Sequence, residues 1–292
     1  MEWIIIDDGT DKIEDLVKAS NIQEIKYFPI EKKMKLGAKR NLMHEKTKGS
    51  IIVYMDDDDY YPPERVSHAV ETLVKNPHAL CAGSSELYIY FKHISKMYQS
   101  GPFGPTHATA GTFAFRRELL NFTRYEEEAC LGEERAFLKQ YTVPFVQLDP
   151  MKTILVFSHN HNTFDKKNML NNEHPDFFKE SPRKVKEFIR NNEEKQILRF
   201  FLKDIDEKLQ NYNLGESIHK PDVLKQIKEI DEKRKHNTPM KVMVEVPGQG
   251  KRALSGKEIV DTLSNQQEVI KKLTARVQEL EGKLQKIKLL AN

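Results

Sequence analysis

The sequence predicts an α/β domain with a mostly parallel sheet flanked by helices, then a helical region and a C-terminal coiled coil. Three observations point there. Apolar runs of strand length alternate with segments of helical periodicity over residues 1–165, the pattern of a parallel sheet with crossover helices. Beyond residue 165 the chain turns polar. From Gly256 onward, apolar residues recur at alternating steps of four and three, a heptad seam. The expected divisions are 1–165, a helical extension 166–237, a short strand and linker 238–255, and the tail 256–292.

The elements follow in order. Trp3 to Ile6 is a short apolar strand of the kind buried on both faces of a parallel sheet, with Trp3 as core packing. Asp7-Asp8-Gly9-Thr10-Asp11 ends it, and Ile13, Leu16 and Val17 recur at helical spacing. IKYFPI (25–30) reads as a second strand, KLGAKRNLMHEKTKG (35–49) as a glycine turn and helix, and SIIVYM (50–55) as a third strand. Pro62-Pro63 opens a helix carrying Val66, Ala69, Val70, Leu73 and Val74. Strands are expected within 79–93, at 96–100, before Arg116-Arg117, and twice within 145–164. An acidic loop and helix fall over 126–141, a long polar helix over 182–212, and a lone strand over Lys241–Val246.

Composition narrows the class. Of 292 residues, 38% are hydrophobic and 31% charged, which suits one globular domain with accessory segments. Net charge is −4 over residues 1–165 and +7 over the remainder. The basic excess reads as solvated helix faces, and no nucleic-acid partner is expected. Cys81 and Cys130 form neither a zinc spacing nor a disulfide framework. No apolar run reaches the ~20 residues of a membrane span. A soluble, cytoplasmic protein is expected.

The chemistry gathers at GSIIVYMDDDDYYPPERV (49–66). Four adjacent carboxylates, Asp56 to Asp59, repel one another unless a cation offsets them. Strand ends of an open α/β sheet are where ligands bind, and both Asp7-Asp8 and Asp56–Asp59 fall at such ends. Carboxylates at one turn suit a hard divalent cation, Mn²⁺ or Mg²⁺, that takes its remaining ligands from phosphate oxygens and water.

In order and spacing, EWIIIDDGTD, GAKRN and IIVYMDDDDYYPPERV resemble the inverting family 2 glycosyltransferases of the GT-A fold, over about residues 1–165. The resemblance implies transfer of a sugar from a nucleotide donor, a UDP-sugar first, to a glycan or protein hydroxyl. It matches Asp7 or Asp8 to a carboxylate near the nucleotide and places Lys39, Arg40 and Asn41 in the segment lining it. It puts Asp56 and Asp57 beside the nucleotide-sugar. Asp56 and Asp58 match the outer positions of Asp-x-Asp, with Asp58 preferred as the direct metal ligand. LGEERAF (131–137) occupies the place of the family's acidic pair, making Glu134 the expected base and Glu133 the second choice. A histidine after the later strand implies His159 as a further metal or diphosphate ligand, with His161 the weaker candidate. Gly111 and Thr112 match the segment on the acceptor side. Family members usually open with an earlier strand, turn and helix, so the chain is expected to be truncated or to fill that place otherwise. Quadruple-aspartate versions occur in sequences from large DNA viruses, which implies a host-cell or virion location if the origin is viral.

Some residues invite plainer readings. Arg116 and Arg117 read as surface arginines, and Cys130 has no partner that marks a nucleophile. The tail seam runs Ile259, Leu263, Gln266, Ile270, Leu273, Val277, Leu280, Leu284, Ile287, with Arg276 and Glu281 flanking it and Gly282 outside it. A homo-oligomer is expected. Two other readings stand beside the transferase. One is a degenerate transferase domain acting as a binding or scaffold protein through its coiled coil. The other is a nucleotidyltransferase of related fold, which lacks a triphosphate loop here.

Overall fold

The computed structural model describes residues 1–159, 161–162, 165–172, 174–190, 194–210, 212, 219–236, 242–246 and 250–290. The chain forms two compact units, Met1–His236 and Asn237–Asn292.

The first unit opens with β1 (Trp3–Asp7) and β2 (Ile25–Pro29), joined through α1 (Glu14–Ala19) and paired in parallel. Trp3 is 50% exposed and Ile4 to Ile6 are only partly covered, so β1 is not the doubly buried strand expected. Its hydrogen-bonded neighbour is β2 alone among the described residues, and a strand paired on one edge is half wrapped. Next come α2 (Leu36–Lys46), β3 (Ile51–Val53), α3 (Arg65–Lys75), β4 (Cys81–Gly83), β5 (Leu87–Phe91), β6 (Lys96–Ser100) and β7 (Ala114–Arg116). The unit continues with α4 (Glu134–Phe137), β8 (Phe145–Gln147), β9 (Leu155–Ser158), β10 (Phe178–Ser181), α5 (Lys195–Arg199), α6 (Ile205–Leu209) and α7 (Pro221–His236).

The sheets are mixed rather than mostly parallel. One is ordered β3-β7-β4-β8, with β7 antiparallel to both neighbours and β4 parallel to β8. The other is ordered β10-β6-β5-β9, with β5 and β6 a hairpin and β9 parallel to β5. Runs such as Ala114–Arg116 are too short and too buried for a period that tells which neighbour they pair with.

Between the layers lie aromatic cores. Tyr54, Phe113, Phe115, Tyr125 and Phe137 pack together, with Tyr125 stacked on Phe137 at 4.3 Å between ring centroids. Tyr60, Tyr88, Phe157, Val185, Phe188 and Ile189 form another. The last three come from beyond residue 165, and β10 completes the second sheet there. That stretch is therefore structural support for the sheet, more than the helical extension expected. The long helix over 182–212 is instead short pieces: a turn at Val185–Glu187, α5, a π-helical turn at Phe200–Asp204, and α6.

The second unit pairs β11 (Met243–Val246) with β12 (Gly250–Ala253) as a hairpin, where a lone strand was expected. Its helix α8 spans Gly256–Leu290. Ser255 starts it: Ser255 Oγ accepts from the Glu258 N–H at 3.2 Å and Glu258 returns a bond to the Ser255 N–H at 2.8 Å, a capping box that satisfies two otherwise open donors.

Candidate active site

The carboxyl end of β1 carries two aspartates with different tasks. Asp7 accepts from the Gly9 and Ile13 N–H groups at 2.9 and 3.0 Å and from the Tyr27 hydroxyl at 2.6 Å, so it shapes the turn after the strand. Asp8 is buried and accepts from Lys39 Nζ at 2.5 Å and from the Met34 N–H at 2.8 Å, with Lys33 Nζ at 3.4 Å. Burial pushes the Asp8 carboxyl up, but these donors hold it below the ordinary aspartate range. Of the pair, Asp8 is the one facing the α2 segment. Asn41 is spent otherwise. Its amide binds the Tyr125 backbone through both ends, at 2.9 and 3.0 Å, so it fastens the acidic loop rather than lining a nucleotide.

The four aspartates after β3 separate completely. Among the described residues, none donates a hydrogen bond to the Asp56 carboxylate. Its carboxylate lies 3.9 Å from Arg40 and against Gly111, where an added methyl would run into it. Its backbone N–H donates to the Tyr61 hydroxyl at 2.8 Å, which donates to the Gly111 carbonyl at 3.1 Å. Asp57 is exposed. Asp58 accepts from Asn162 Nδ2 at 2.9 Å and faces His159 Nε2 at 3.6 Å. Burial would raise its carboxyl, yet His159, Lys166 and Asn162 lower it to about 2. Asp59 is turned inward and accepts from the Phe157 N–H at 3.0 Å, tying β9 to the turn. Burial and Asp58 push it well above the usual carboxylate range.

Opposite stands the acidic pair. Gly132, at φ 62°, makes the left-handed turn that admits Glu133 to the interior. Glu133 is buried and pairs with Arg40 at 3.0 Å. Arg40 is itself buried, with its guanidinium over the Tyr54 and Tyr125 rings at 4.8 and 5.4 Å. Glu134 begins α4, only partly exposed, and has no such cation of its own among the described residues. Burial, then Glu133, raises its carboxyl to about 7, with Arg40 opposing and Asp56 adding a smaller push.

Other expected residues divide sharply. Thr112 is fully buried and its hydroxyl joins the Thr109 carbonyl at 2.6 Å to the Ser84 N–H at 3.0 Å; no hydroxyl remains for an acceptor. Gly111 stays at the site through Asp56. His161 binds the Tyr212 carbonyl at 2.8 Å through Nε2, fastening the later chain. Arg116 and Arg117 bind backbone: Arg116 reaches the Ala79 and Leu73 carbonyls at 3.1 and 2.7 Å, and Arg117 the Gly49 carbonyl at 2.7 Å.

Sequence reasoning passed over Arg65, Tyr61 and Asn162. Arg65 is 1% exposed, and its guanidinium donates to the Tyr54, Thr112 and Phe113 carbonyls at 3.2, 2.8 and 2.9 Å. It clamps the end of β3 to the Gly111 turn. Arg65, Ala69 and Leu73 are the buried residues of α3, four apart on one face, and that spacing was the available signal.

The metal expectation needs one correction. Asp56, Asp58 and His159 do not converge, and among the described residues no three such side chains form a metal-holding group. Asp58 and His159 do meet. One carboxylate oxygen and one imidazole nitrogen fit a divalent ion that draws its other ligands from phosphate and water.

Residues 1–131 match the model of the family described as Glycosyl transferase family 2. No curated protein matches the chain. Solved structures similar to it include TarS of S. aureus in complex with UDP-GlcNAc, at 20% identity over 54% of this chain and 50% of that one, TM-score 0.43. GalNAc-T7 with UDP, GalNAc and Mn²⁺ is 15% identical over 53% of this chain and 37% of that one, TM-score 0.42. Mannosyltransferase PcManGT from Pyrobaculum calidifontis in complex with GDP-Man and Mn²⁺ is 12% identical over 55% and 49%, TM-score 0.42. The chain spans half or less of the length of these three structures. No described helix is long and apolar enough to cross a membrane.

Proposed function

We propose that this protein is an inverting glycosyltransferase, dependent on a divalent metal, that moves a sugar from a nucleoside-diphosphate donor to an acceptor hydroxyl. The observation that carries the reading is Glu134: a carboxyl raised to about 7, near the Asp56 side of the cluster, beside a glutamate already paired with arginine. A base poised near neutral pH suits proton removal. The Glu134 carboxylate takes the acceptor O–H proton as the acceptor oxygen bonds to the anomeric carbon. The bond from that carbon to the diphosphate oxygen breaks, its electron pair leaves with the diphosphate, and attack from the opposite face inverts the centre.

The other residues position and hold. Arg40 absorbs the charge of Glu133, leaving Glu134 as the proton acceptor of the pair. Asp8 and Lys39 line the donor side. Asp58 and His159 are the residues that would hold Mn²⁺ or Mg²⁺. The bound ion would neutralise charge on the leaving diphosphate. A UDP-sugar is the first donor to try, with glycans and proteins as acceptors.

The test is release of nucleoside diphosphate by the full chain from UDP- and GDP-sugars with Mn²⁺, with the product anomer read by NMR. Metal-dependent release and an inverted product are expected. No release under any pairing of donor and metal would overturn the reading and leave the degenerate binding domain.

The tail supports a second, separate proposal: α8 pairs with α8 of another copy. Leu263, Ile270, Leu273, Val277 and Leu280 are 48–61% exposed. β-Branched Ile270 and Val277 alternate with Leu273 and Leu280, the choice that favours two parallel strands. Light scattering should give a dimer that Ile270→Asp with Leu273→Asp converts to a monomer. A monomeric parent would remove this proposal.

A further inference from the structure

Over residues 221–232 of α7, the half-buried side chains are Val223, Gln226, Ile227 and Ile230, the spacing of one helix face. Three are aliphatic, and the fourth is a polar side chain set in an apolar stripe. A polar group in such a place is held by hydrogen-bond partners. Gln226 finds two on the acidic loop: Nε2 donates to the Glu128 carbonyl at 2.6 Å and Oε1 accepts from the Cys130 N–H at 2.9 Å. These backbone groups flank Ala129, and they are the two that a strand offers to one residue of a parallel neighbour. The Gln226 amide takes that residue's place.

The same loop is gripped from α2. The Gly37 N–H donates to the Ala129 carbonyl at 2.9 Å, and a side chain at Gly37 would run into the Glu126 carbonyl. Asn41 holds the Tyr125 backbone and Arg40 holds Glu133, so Gly37, Arg40 and Asn41 act from one helix face. The Ala129 N–H turns back to the Glu126 carbonyl at 3.1 Å. Among the described residues, the Cys130 N–H has no partner but Gln226. Leu131 and Gly132 alone separate Cys130 from Glu133 and Glu134, so the position of the loop sets theirs.

We propose that Gln226 is a positioning residue for the base: α7, from beyond the family-matched residues 1–131, latches the acidic loop and so fixes where Glu134 meets the acceptor hydroxyl. The latch rests on the transferase reading above. Positioning of this kind matters because a displacement of about 1 Å, even from a change far from the chemistry, can cost ~10²-fold in rate.

The experiment pairs turnover with hydrogen exchange on the full chain. Gln226→Leu removes both bonds, whereas Gln226→Glu keeps the acceptor for Cys130 and loses the donor. In Gln226→Leu, kcat should fall about ten- to a hundredfold, with donor KM and the affinity for UDP with Mg²⁺ near the parent's. Exchange should quicken over residues 126–134. The rise of kcat with pH should move to lower pH, because water admitted around Glu134 relieves the burial that raises its carboxyl. Glu133, Arg40 and Asp56 also act on that carboxyl and Tyr141 senses it, and all four are kept. Gln226→Glu should fall between Gln226→Leu and the parent, and it carries the test if Gln226→Leu does not fold. Lys225→Ala, at an exposed position of the same helix, should match the parent. Parental kcat and pH profile in Gln226→Leu would overturn the latch while the transferase reading stands. A fall in kcat matched by lost UDP affinity and melting temperature, with the profile unmoved, would also overturn it, since that marks support of the fold alone. A parent that transfers no sugar from any donor ends both.

Discussion

Asp58 and Glu134 stand on the two sides of the site and are driven in opposite directions. Both lose solvation, and both have an acidic neighbour in sequence. Asp58 is met by His159, Asn162 and Lys166, and its carboxyl falls to about 2. The cation near Glu134 is committed to Glu133 at 3.0 Å, so burial prevails and the carboxyl rises to about 7. The same side-chain chemistry therefore yields a permanent anion on one side and a proton acceptor on the other, and the difference lies in who holds the nearest cation. Pairs driven apart in this way identify acid–base roles.

The largest effect should come from removing the proton acceptor. Glu134→Gln keeps shape and polarity, and transfer should fall by the ~10²–10⁴-fold attributed to general base catalysis, read as turnover of donor sugar. Donor binding should stay near the parent's. Unchanged turnover would erase the contrast on its chemical side. Glu133→Gln tests the neighbour. It leaves the buried Arg40 guanidinium facing a neutral amide, and breaking a buried ion pair costs about 3–5 kcal/mol. Its signature should be a drop in melting temperature. If Glu133→Gln proves stable and inactive while Glu134→Gln stays active, the register of the pair is wrong by one.

On the other side, Asp58→Ala should abolish the metal-dependent part of the melting shift caused by UDP with Mn²⁺. At a ligand concentration 100 times its dissociation constant that shift corresponds to about 2.7 kcal/mol. An equal shift in the variant would take Asp58 out of the metal site. Asp59→Asn is the internal control. Its partner is the Phe157 N–H, so it should affect the fold and leave the metal response in place.

How much of this was readable beforehand depends on whether partners are local. The acidic cluster was legible because four aspartates follow an apolar run directly. Their separate tasks were not. Asp59 is fixed by Phe157, Asp58 by His159 and Asn162, and Asp56 lies beside Arg40 and Gly111, all but Arg40 far along the chain. Asn41 looked like a nucleotide contact because of its position, and its Tyr125 partner lies 84 residues away. Sheet direction was hidden for a similar reason, since β7 is a three-residue run whose reversed entry depends on the whole loop before it. The tail was the easiest to read: its periodicity is local, and one helix over Gly256–Leu290 follows.

The smallest expected effect is also the most direct comparison of the two carboxyls, because it reads stability against pH. Glu134 has an ordinary value of 4.5 and a folded value of about 7, so the folded state holds the proton more tightly. Its contribution favours the fold below pH 4.5 and is lost as pH rises toward 7. Asp58, ordinarily 3.8 and about 2 when folded, does the reverse: its contribution is present above pH 3.8 and is lost as pH falls toward 2. Removing the ionisable group at Glu134 should therefore stabilise the protein at pH 8. The shift sets a ceiling of about 3 kcal/mol, and partial exposure to solvent lowers it to about 1 kcal/mol. For a domain of this size that is roughly 2–4 °C in melting temperature. Glu134→Gln should melt above the parent at pH 8 and level with it near pH 4, while Asp58→Asn should melt below the parent at pH 8 in the absence of metal. A Glu134→Gln variant that melts lower at pH 8 would mean that the carboxylate is stabilised where it stands, and that the two sides of the site do not titrate in opposition.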